Sequence, residues 1–341
     1  MIIARAPLRI ALGGGGTDLQ FYSSRFGGFV LSVAVDNYAY VTILQPSIEK
    51  GVRVKARINE YAENLGDIKN ELVSASCRLS GVTERLQITF SSDLSDGTGM
   101  GTSSAYTVCL IQALSYLKGK LLDKKDLAET AAHVELNILE RPIGKHDHYM
   151  ASFGGLKLLR INKDGSVIVE DPPMTENTLQ ELKSHLLLFY TGERRESSAI
   201  LSAQRECAEK DNGEKVYEYY HRIKDIGLRI YESLIHSDLI RFGELLHEHW
   251  ETKKCLAGGV SNPRFDELYQ LARHNGALGG KLIGAGGGGL FLLFVPPSKK
   301  EKVCSTMHQQ GLEEVSFSYD WQGATLLNGF HSPRCYSKNI S

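Results

Sequence analysis

Residues 91–108, SSDLSDGTGMGTSSAYTV, set Gly97, Gly99 and Gly101 and then Thr102, Ser103 and Ser104 directly ahead of an apolar stripe. The stripe (Val108, Ile111, Leu114, Leu117) recurs every third residue and predicts an α-helix that starts at the glycines. A helix start has backbone N–H groups with no intrahelical partner and the positive end of the dipole, so it favours an anion. Glycines let the backbone approach phosphate oxygens, and the hydroxyls add donors or a magnesium ligand. A plain turn with a Ser or Thr cap would explain one or two of these residues; spaced glycines with successive hydroxyls point to a phosphate cradle. No GxxxxGK(S/T) pattern occurs in the chain, which excludes a Walker A site.

Working outward, two further glycine clusters flank this one. Glycine is the one compositional excess, 34 residues of 341, or about 10% against a usual value near 7%. Residues 6–19, APLRIALGGGGTDL, combine Arg9, four glycines, Thr17 and Asp18. Consecutive glycines cost folding entropy, so something must come close to the backbone at Gly15 and Gly16, where Thr17 and Asp18 offer a hydroxyl and a carboxylate suited to a polyol. The alternative is a bulge or turn with Asp18 as a helix cap. Residues 281–294, KLIGAGGGGLFLLF, satisfy GxGxxG through Gly284, Gly286 and Gly289, but a strand-like run follows where a dinucleotide fingerprint needs a helix. Gly284, Gly286, Gly287 and Gly288 then make either a tight packing bend or a loop that closes over phosphates.

Candidate acids lie between the second and third clusters, in HVELNILERPIGKHDHYMASFGG, residues 133–155. Glu135 falls on a second amphipathic helix capped by Asp123, and Asp147 follows twelve positions later, past Pro142 and Gly144. A kinase needs one acid to hold magnesium and one to orient or deprotonate the acceptor hydroxyl. Glu135 and Asp147 suit those roles; taken singly, each also reads as a surface or capping acid. His133, His146 and His148 lack a third ligand at a metal spacing, and LLHEHWETKK (245–254) is not HExxH, so its Lys253 and Lys254 read as solvated helix charges. Arg194 and Arg195 could hold an anionic group or simply lie on a solvated loop.

The chain length suggests two domains, and a formal net charge of −1 gives no long-range pull on polyanions. Nucleic acid and an anionic membrane are therefore not expected as main partners. The scattered cysteines, without CxxC, read as reduced cytoplasmic thiols, and Arg5 and Arg9 interrupt any signal-peptide core. Strands are expected at 28–45, 85–92, 185–191, 290–295 and 314–319, a hairpin at 154–170, and helices across 196–253 and 262–275. DPPMTENT, 171–178, reads as a linker. The expected division is therefore 1–175 and 176–330, with a peripheral tail at 331–341.

With these residues in view, the sequence resembles the GHMP small-molecule kinases, named for galactose, homoserine, mevalonate and phosphomevalonate. APLRIALGGGGTDL is similar to the family's first motif, GTGMGTSSA to its phosphate-binding second and KLIGAGGGGLFLLF to its third, in order, across residues 4–294. The resemblance implies an α+β fold: an N-terminal domain like domain 2 of ribosomal protein S5, a ferredoxin-like C-terminal domain, and an active site between them. It implies ATP and Mg2+ as cofactors, Asp147 as the catalytic aspartate, Glu135 as the magnesium-binding glutamate, Ser103 as the serine that reaches magnesium, and Arg9 near the reacting oxygens. Thr17 and Asp18 fall where the family's sugar kinases contact hydroxyls. Within the family, the first motif and GKHDHYMASFGGL (144–156) most resemble the D-glycero-D-manno-heptose 7-phosphate kinases, which phosphorylate the anomeric oxygen of a sugar phosphate for surface-polysaccharide precursors. His146 stands where close relatives usually carry Gln, which leaves the acceptor open. A kinase for galactose, fucose or a related sugar, or a non-catalytic nucleotide-binding regulator, are the alternatives. A sugar phosphate partner and a homodimer fit the same resemblance.

Overall fold

The computed structural model describes residues 1–194, 197–209 and 213–327. Arg195, Cys335 and the 331–341 tail lie outside them. The chain runs β1 (Ile2–Gly13), α1 (Gln20–Phe26), β2 (Gly28–Leu44), β3 (Val52–Lys55), β4 (Glu60–Ala62), α2 (Glu71–Ser80), β5 (Leu86–Ser92), α3 (Thr102–Leu117), α4 (Lys124–His133), α5 (His146–Phe153), β6 (Leu156–Ile161), β7 (Val167–Glu170) and α6 (Glu176–His185). It continues through β8 (Leu186–Tyr190), α7 (Ser197–Glu209), α8 (Gly213–Ile235), α9 (Leu239–Lys254), α10 (Pro263–His274), β9 (Gly279–Leu282), β10 (Leu290–Phe294), α11 (Lys300–Gln309), β11 (Glu313–Glu314) and β12 (Thr325–Leu326).

β1 carries apolar residues at every even position from Ile2 to Leu12, all buried, which is the period of a strand with one face in the core. It pairs antiparallel with β2 from Ile2↔Ile43 to Gly13↔Leu31. β2 is long enough to serve two neighbours on its other edge, β6 along its first half and β5 along its second. The resulting sheet runs β12-β1-β2-β5-β3-β4, with β7 added beyond β6. α3 lies across β1 and β2, and its buried Val108, Ile111 and Leu114 are the stripe that the sequence displays.

The second sheet is antiparallel, with order β11-β8-β10-β9. Counted along the chain this is 4-1-3-2, the ferredoxin-like arrangement. β10, LFLLF, is buried throughout. Asp123 caps α4 as expected, accepting from the Asp126 N–H at 2.8 Å. Beyond α4 the helix widens into a π turn at Val134–Ile138, which carries Glu135.

The chain does not divide cleanly at 171–178. After β11 it returns to the first sheet, where Tyr319 bridges Val35 and β12 pairs with Ala4 and Arg5 of β1. Of the strand expected at 314–319, Glu313–Glu314 is what pairs with β8. α8 also crosses back, and its Ile226, Ile230 and Leu234 join Phe29 and Leu31 of β2 in one core. A second core, around Phe189, Trp250, Tyr269 and Phe291, lies within the 176–330 half.

Candidate active site

A cleft of about 620 Å³ opens between the loops of the first sheet and α7, α9 and the β9–β10 loop. This is the size of a small-molecule site. The three glycine clusters and both candidate acids meet there: Arg9, Gly15, Gly16, Asp18, Gly97, Gly99, Gly101, Thr102, Ser103, Ser104, Glu135, His146, Asp147 and Gly284 all line it.

Asp147 stands in the first turn of α5, with Arg9 Nε at 2.7 Å and Nη2 at 2.6 Å from its Oδ1. Arg9 Nη1 also donates to the Gly99 carbonyl at 2.6 Å, so one guanidinium ties the acid to the 97–101 loop. Burial pushes the Asp147 carboxyl upward, but the Arg9 charge and hydrogen bond, with His146 and His148, together leave the group below its ordinary range. Gly101 sits at φ +79°, and a Cβ there would lie 3.0 Å from the Asp147 carboxyl carbon. The glycine therefore lets the second motif press against this acid.

Glu135 is fully buried. Ser103 Oγ and Ser104 Oγ donate to its two oxygens at 3.1 and 2.8 Å, His148 Nε2 lies 2.7 Å from Oε2, and Arg141 pairs with Oε1. Burial raises its pKa, yet the His148 hydrogen bond and charge, Arg141 and Ser104 together bring it down to about 2. A buried carboxylate is stable only with such partners. His148, one of the histidines without a metal spacing, is thus the partner of Glu135, and His133 bonds Asn137 on the surface at 3.2 Å. Among the described residues, no group of three or more His, Cys, Asp and Glu converges as a metal site.

His146 Nδ1 lies 3.2 Å from Asp147 Oδ1, and its backbone N–H donates to Asp18 Oδ2 at 3.1 Å. Burial and the neighbouring Arg9 depress the ring pKa to about 3, so the imidazole is neutral. Nδ1 then carries the hydrogen toward Asp147, and Nε2, buried without a partner, is an acceptor. Asp18 has the opposite shift: burial and the nearby Asp147 raise its pKa. It packs where a Cβ on Gly144 would come within 1.9 Å of its Oδ2.

Some residues singled out by sequence are used differently. Thr17 is wholly buried and does not line the cleft; its hydroxyl is 2.8 Å from the Gly14 and Phe29 carbonyls and accepts from the Phe29 N–H at 2.9 Å. It fixes the loop in place of the expected sugar contact. Gly13 and Gly14 serve packing, since a Cβ at Gly14 would strike the Phe29 carbonyl oxygen at 2.0 Å. Gly286, Gly287 and Gly288 form the packing bend: Gly286 abuts Val260, Gly287 N–H donates to Val260 at 2.7 Å, and Gly288 faces Glu193. Leu290 N–H donates to the Thr98 carbonyl at 3.1 Å, which binds the third motif to the second. Lys253 is not solvated: it is 7% exposed, lines the cleft, and donates to the Leu282 and Gly284 carbonyls at 2.8 and 2.6 Å. Lys254 pairs with Glu251 and Asp266, and Arg194 donates to Ser95.

Sequence reasoning missed Arg141, Lys281 and His249. Lys281 opens the third motif, donates to the Leu12 carbonyl at 3.0 Å, and is brought down to about 7 by burial and by Arg9. His249 was hidden in a helix whose pattern excluded a zinc protease. A second hollow shares Asp96, Gly97 and Tyr106 with the cleft and is lined also by Arg57, Ser92, Leu94 and Arg194. No helix among the described residues is long and apolar enough to cross a membrane.

An S5-like sheet joined to a ferredoxin-like sheet, with a glycine-rich loop at a helix start and two carboxylates in the cleft between them, defines a small-molecule kinase, a phosphotransferase that uses ATP and an alcohol acceptor. The family models for the GHMP kinase N-terminal domain and the GHMP kinase C-terminal region match residues 65–155 and 230–312. The chain belongs to the GHMP kinases. It is 29% identical over 333 residues to the D-glycero-alpha-D-manno-heptose 7-phosphate kinase of Campylobacter jejuni, covering 94% of this chain and 97% of that one. It is 23% identical to a galactokinase of Pyrococcus furiosus, covering 93% and 95%. A D-glycero-D-manno-heptose 1-phosphate kinase from Bacteroides thetaiotaomicron has the same fold, with a TM-score of 0.77 at 24% identity over 96% of this chain and 99% of that one.

Proposed function

We propose that this protein is a sugar kinase that transfers the γ-phosphoryl group of ATP to the anomeric hydroxyl of D-glycero-D-manno-heptose 7-phosphate. The product is the 1,7-bisphosphate, for nucleotide-activated heptose and surface polysaccharide. The observation that carries the reaction type is the convergence of Arg9–Asp147 and Ser103–Glu135 on one cleft, with the glycine loop between them. The acceptor rests on the end-to-end likeness to the Campylobacter enzyme.

In this reading the β- and γ-phosphates lie on Gly97, Gly99, Gly101 and the α3 start at Thr102–Ser104, and the nucleoside extends into the adjoining hollow. Gly284 closes the opposite side. The sugar rests on Gly15, Gly16 and Asp18. Asp147 accepts a hydrogen bond from the anomeric hydroxyl and aims its oxygen at the γ-phosphorus. The oxygen–phosphorus bond forms, the bond to the β-phosphate oxygen breaks, and ADP leaves. The hydroxyl proton passes to Asp147 late, because a carboxylate held below its ordinary pKa is a weak base in the ground state. Arg9 offsets charge on the transferred group. His146 Nε2, a bare acceptor, takes a hydrogen from a neighbouring sugar hydroxyl.

The oxygens of Ser103 and Glu135 suit a hard divalent cation such as Mg2+. When bound, the ion supplies charge neutralisation on the phosphate oxygens. Arg141, which now touches both Ser103 and Glu135, would shift toward the phosphates.

The test is ADP release and 31P NMR of the product with heptose 7-phosphate, unphosphorylated heptose, galactose and fucose. The highest kcat/KM with heptose 7-phosphate, and a new anomeric phosphate, is expected. Turnover of galactose or fucose with none of the sugar phosphate would contradict the acceptor, and no ADP release with any sugar would favour a regulator.

A further inference from the structure

The cleft wall contributed by the second half of the chain carries two lysines and a histidine that the phosphoryl-transfer chemistry does not use. His249 and Lys253 are four residues apart on α9 and so share a face. Lys281 faces them from β9. Helix and strand come this close because both are glycine at the crossing: a Cβ on Gly279 would lie 2.0 Å from the Gly243 carbonyl oxygen. All three side chains line the cleft, yet they are only 1%, 7% and 3% exposed.

Two features of this cluster point to a missing ligand. Both ring nitrogens of His249 are buried without a hydrogen-bond partner, which is rare for a native side chain. Lys281 is paired with no carboxylate among the described residues; its charged neighbour is Arg9, another cation. The acids of the cleft face other groups: Asp147 faces Arg9, Glu135 faces Arg141 and His148, Asp18 faces the His146 N–H, and Asp96 faces the cations Arg194 and Arg57. A buried imidazole with two unmet nitrogens, beside a lysine whose charged neighbour is another cation, is unfavourable until an anion arrives to take those hydrogen bonds.

We propose that His249, Lys253 and Lys281 form the subsite for the acceptor's own phosphate, a monoester dianion on the sugar distinct from the phosphoryl group being transferred. This rests on the sugar-phosphate reading above. The chemistry matches: a dianion offers several acceptor oxygens to ammonium and imidazole donors. The position matches too. Lys281 is tethered to Leu12, immediately ahead of the Gly13–Gly16 loop, so the cluster borders the sugar's floor, whereas the ATP phosphates belong to the 97–104 loop.

The test compares wild type with His249→Leu and Lys281→Met, using heptose 7-phosphate and unphosphorylated heptose as acceptors. His249→Leu breaks no hydrogen bond of the protein, so the fold is kept. Lys281→Met loses its bond to Leu12 and is read beside it with a thermal melt. In both, KM for heptose 7-phosphate should rise roughly tenfold to a hundredfold, the range of one charged hydrogen bond, while KM for ATP stays put. The preference for the phosphorylated over the unphosphorylated sugar should fall by the same factor. Equal loss on the two sugars, or a rise confined to KM for ATP, would overturn the subsite. A wild-type enzyme that turns over free sugars but no sugar phosphate would instead overturn the acceptor reading itself, and the subsite with it.

Discussion

Asp147 and His146 are adjacent in sequence and shifted by the same surroundings with different consequences. Burial and Arg9 depress the His146 pKa to about 3, and the unfolded chain would protonate it near 6.5. The unfolded state therefore binds more protons between those values, so stability is present above about pH 6.5 and is lost as pH falls toward 3. His146→Gln should flatten that part of the profile, where one such histidine contributes up to about 1.4 kcal/mol per pH unit; urea titrations at a series of pH values would read it, and an unchanged slope would contradict a neutral buried ring. Thr17→Val should lower stability by about 1–3 kcal/mol through the buried Phe29 carbonyl and N–H that lose the hydroxyl, seen as a lower urea midpoint. At this scale the types of residue were legible, because arginine, acids and serines had to serve phosphate chemistry. Direction was not: nothing in GGGGTDL says that the threonine turns to Gly14 and Phe29 while the aspartate turns to the cleft.

At the scale of elements, each glycine motif proves to be partly loop and partly joint. Gly101, at φ +79°, bears against Asp147. Gly101→Ala should cost about 1–2 kcal/mol of backbone strain and displace the acid, so kcat should fall well beyond any change in stability; stopped-flow turnover beside a thermal melt separates the two. The α3 stripe and the cap of α4 were readable because their period and cap chemistry are local. The π turn that brings Glu135 to Ser103 and Ser104 was not, since an extra residue in a helical turn leaves no mark on hydrophobic spacing. Lys253 was misread for a related reason: a lysine at the end of an amphipathic helix looks solvated until the β9–β10 loop covers it with two carbonyls.

For the whole molecule, the two halves are laced together. α8 lies on β1 and β2, with Gly227 so close to the first loop that a Cβ would come 2.8 Å from the Gly14 N–H nitrogen, and residues after β11 return to pair with β1. A shared core of this kind should melt in one cooperative transition, checked by calorimetry; two separated transitions would mean that the halves are independent. Gly227→Val should separate α8 from the glycine loop, lowering Tm and raising KM for the acceptor together. The sequence could announce two domains through length and the Pro172–Pro173 break, but long-range return of the chain depends on pairing partners some 300 residues apart that no local pattern displays. The most direct measurement for the whole scheme is single-turnover phosphoryl transfer by Asp147→Asn, with ATP affinity followed in parallel. If the acid beside Arg9 orients and then deprotonates the acceptor, the rate should drop roughly 10²- to 10⁴-fold while ATP binds nearly as before; transfer at the wild-type rate would contradict it.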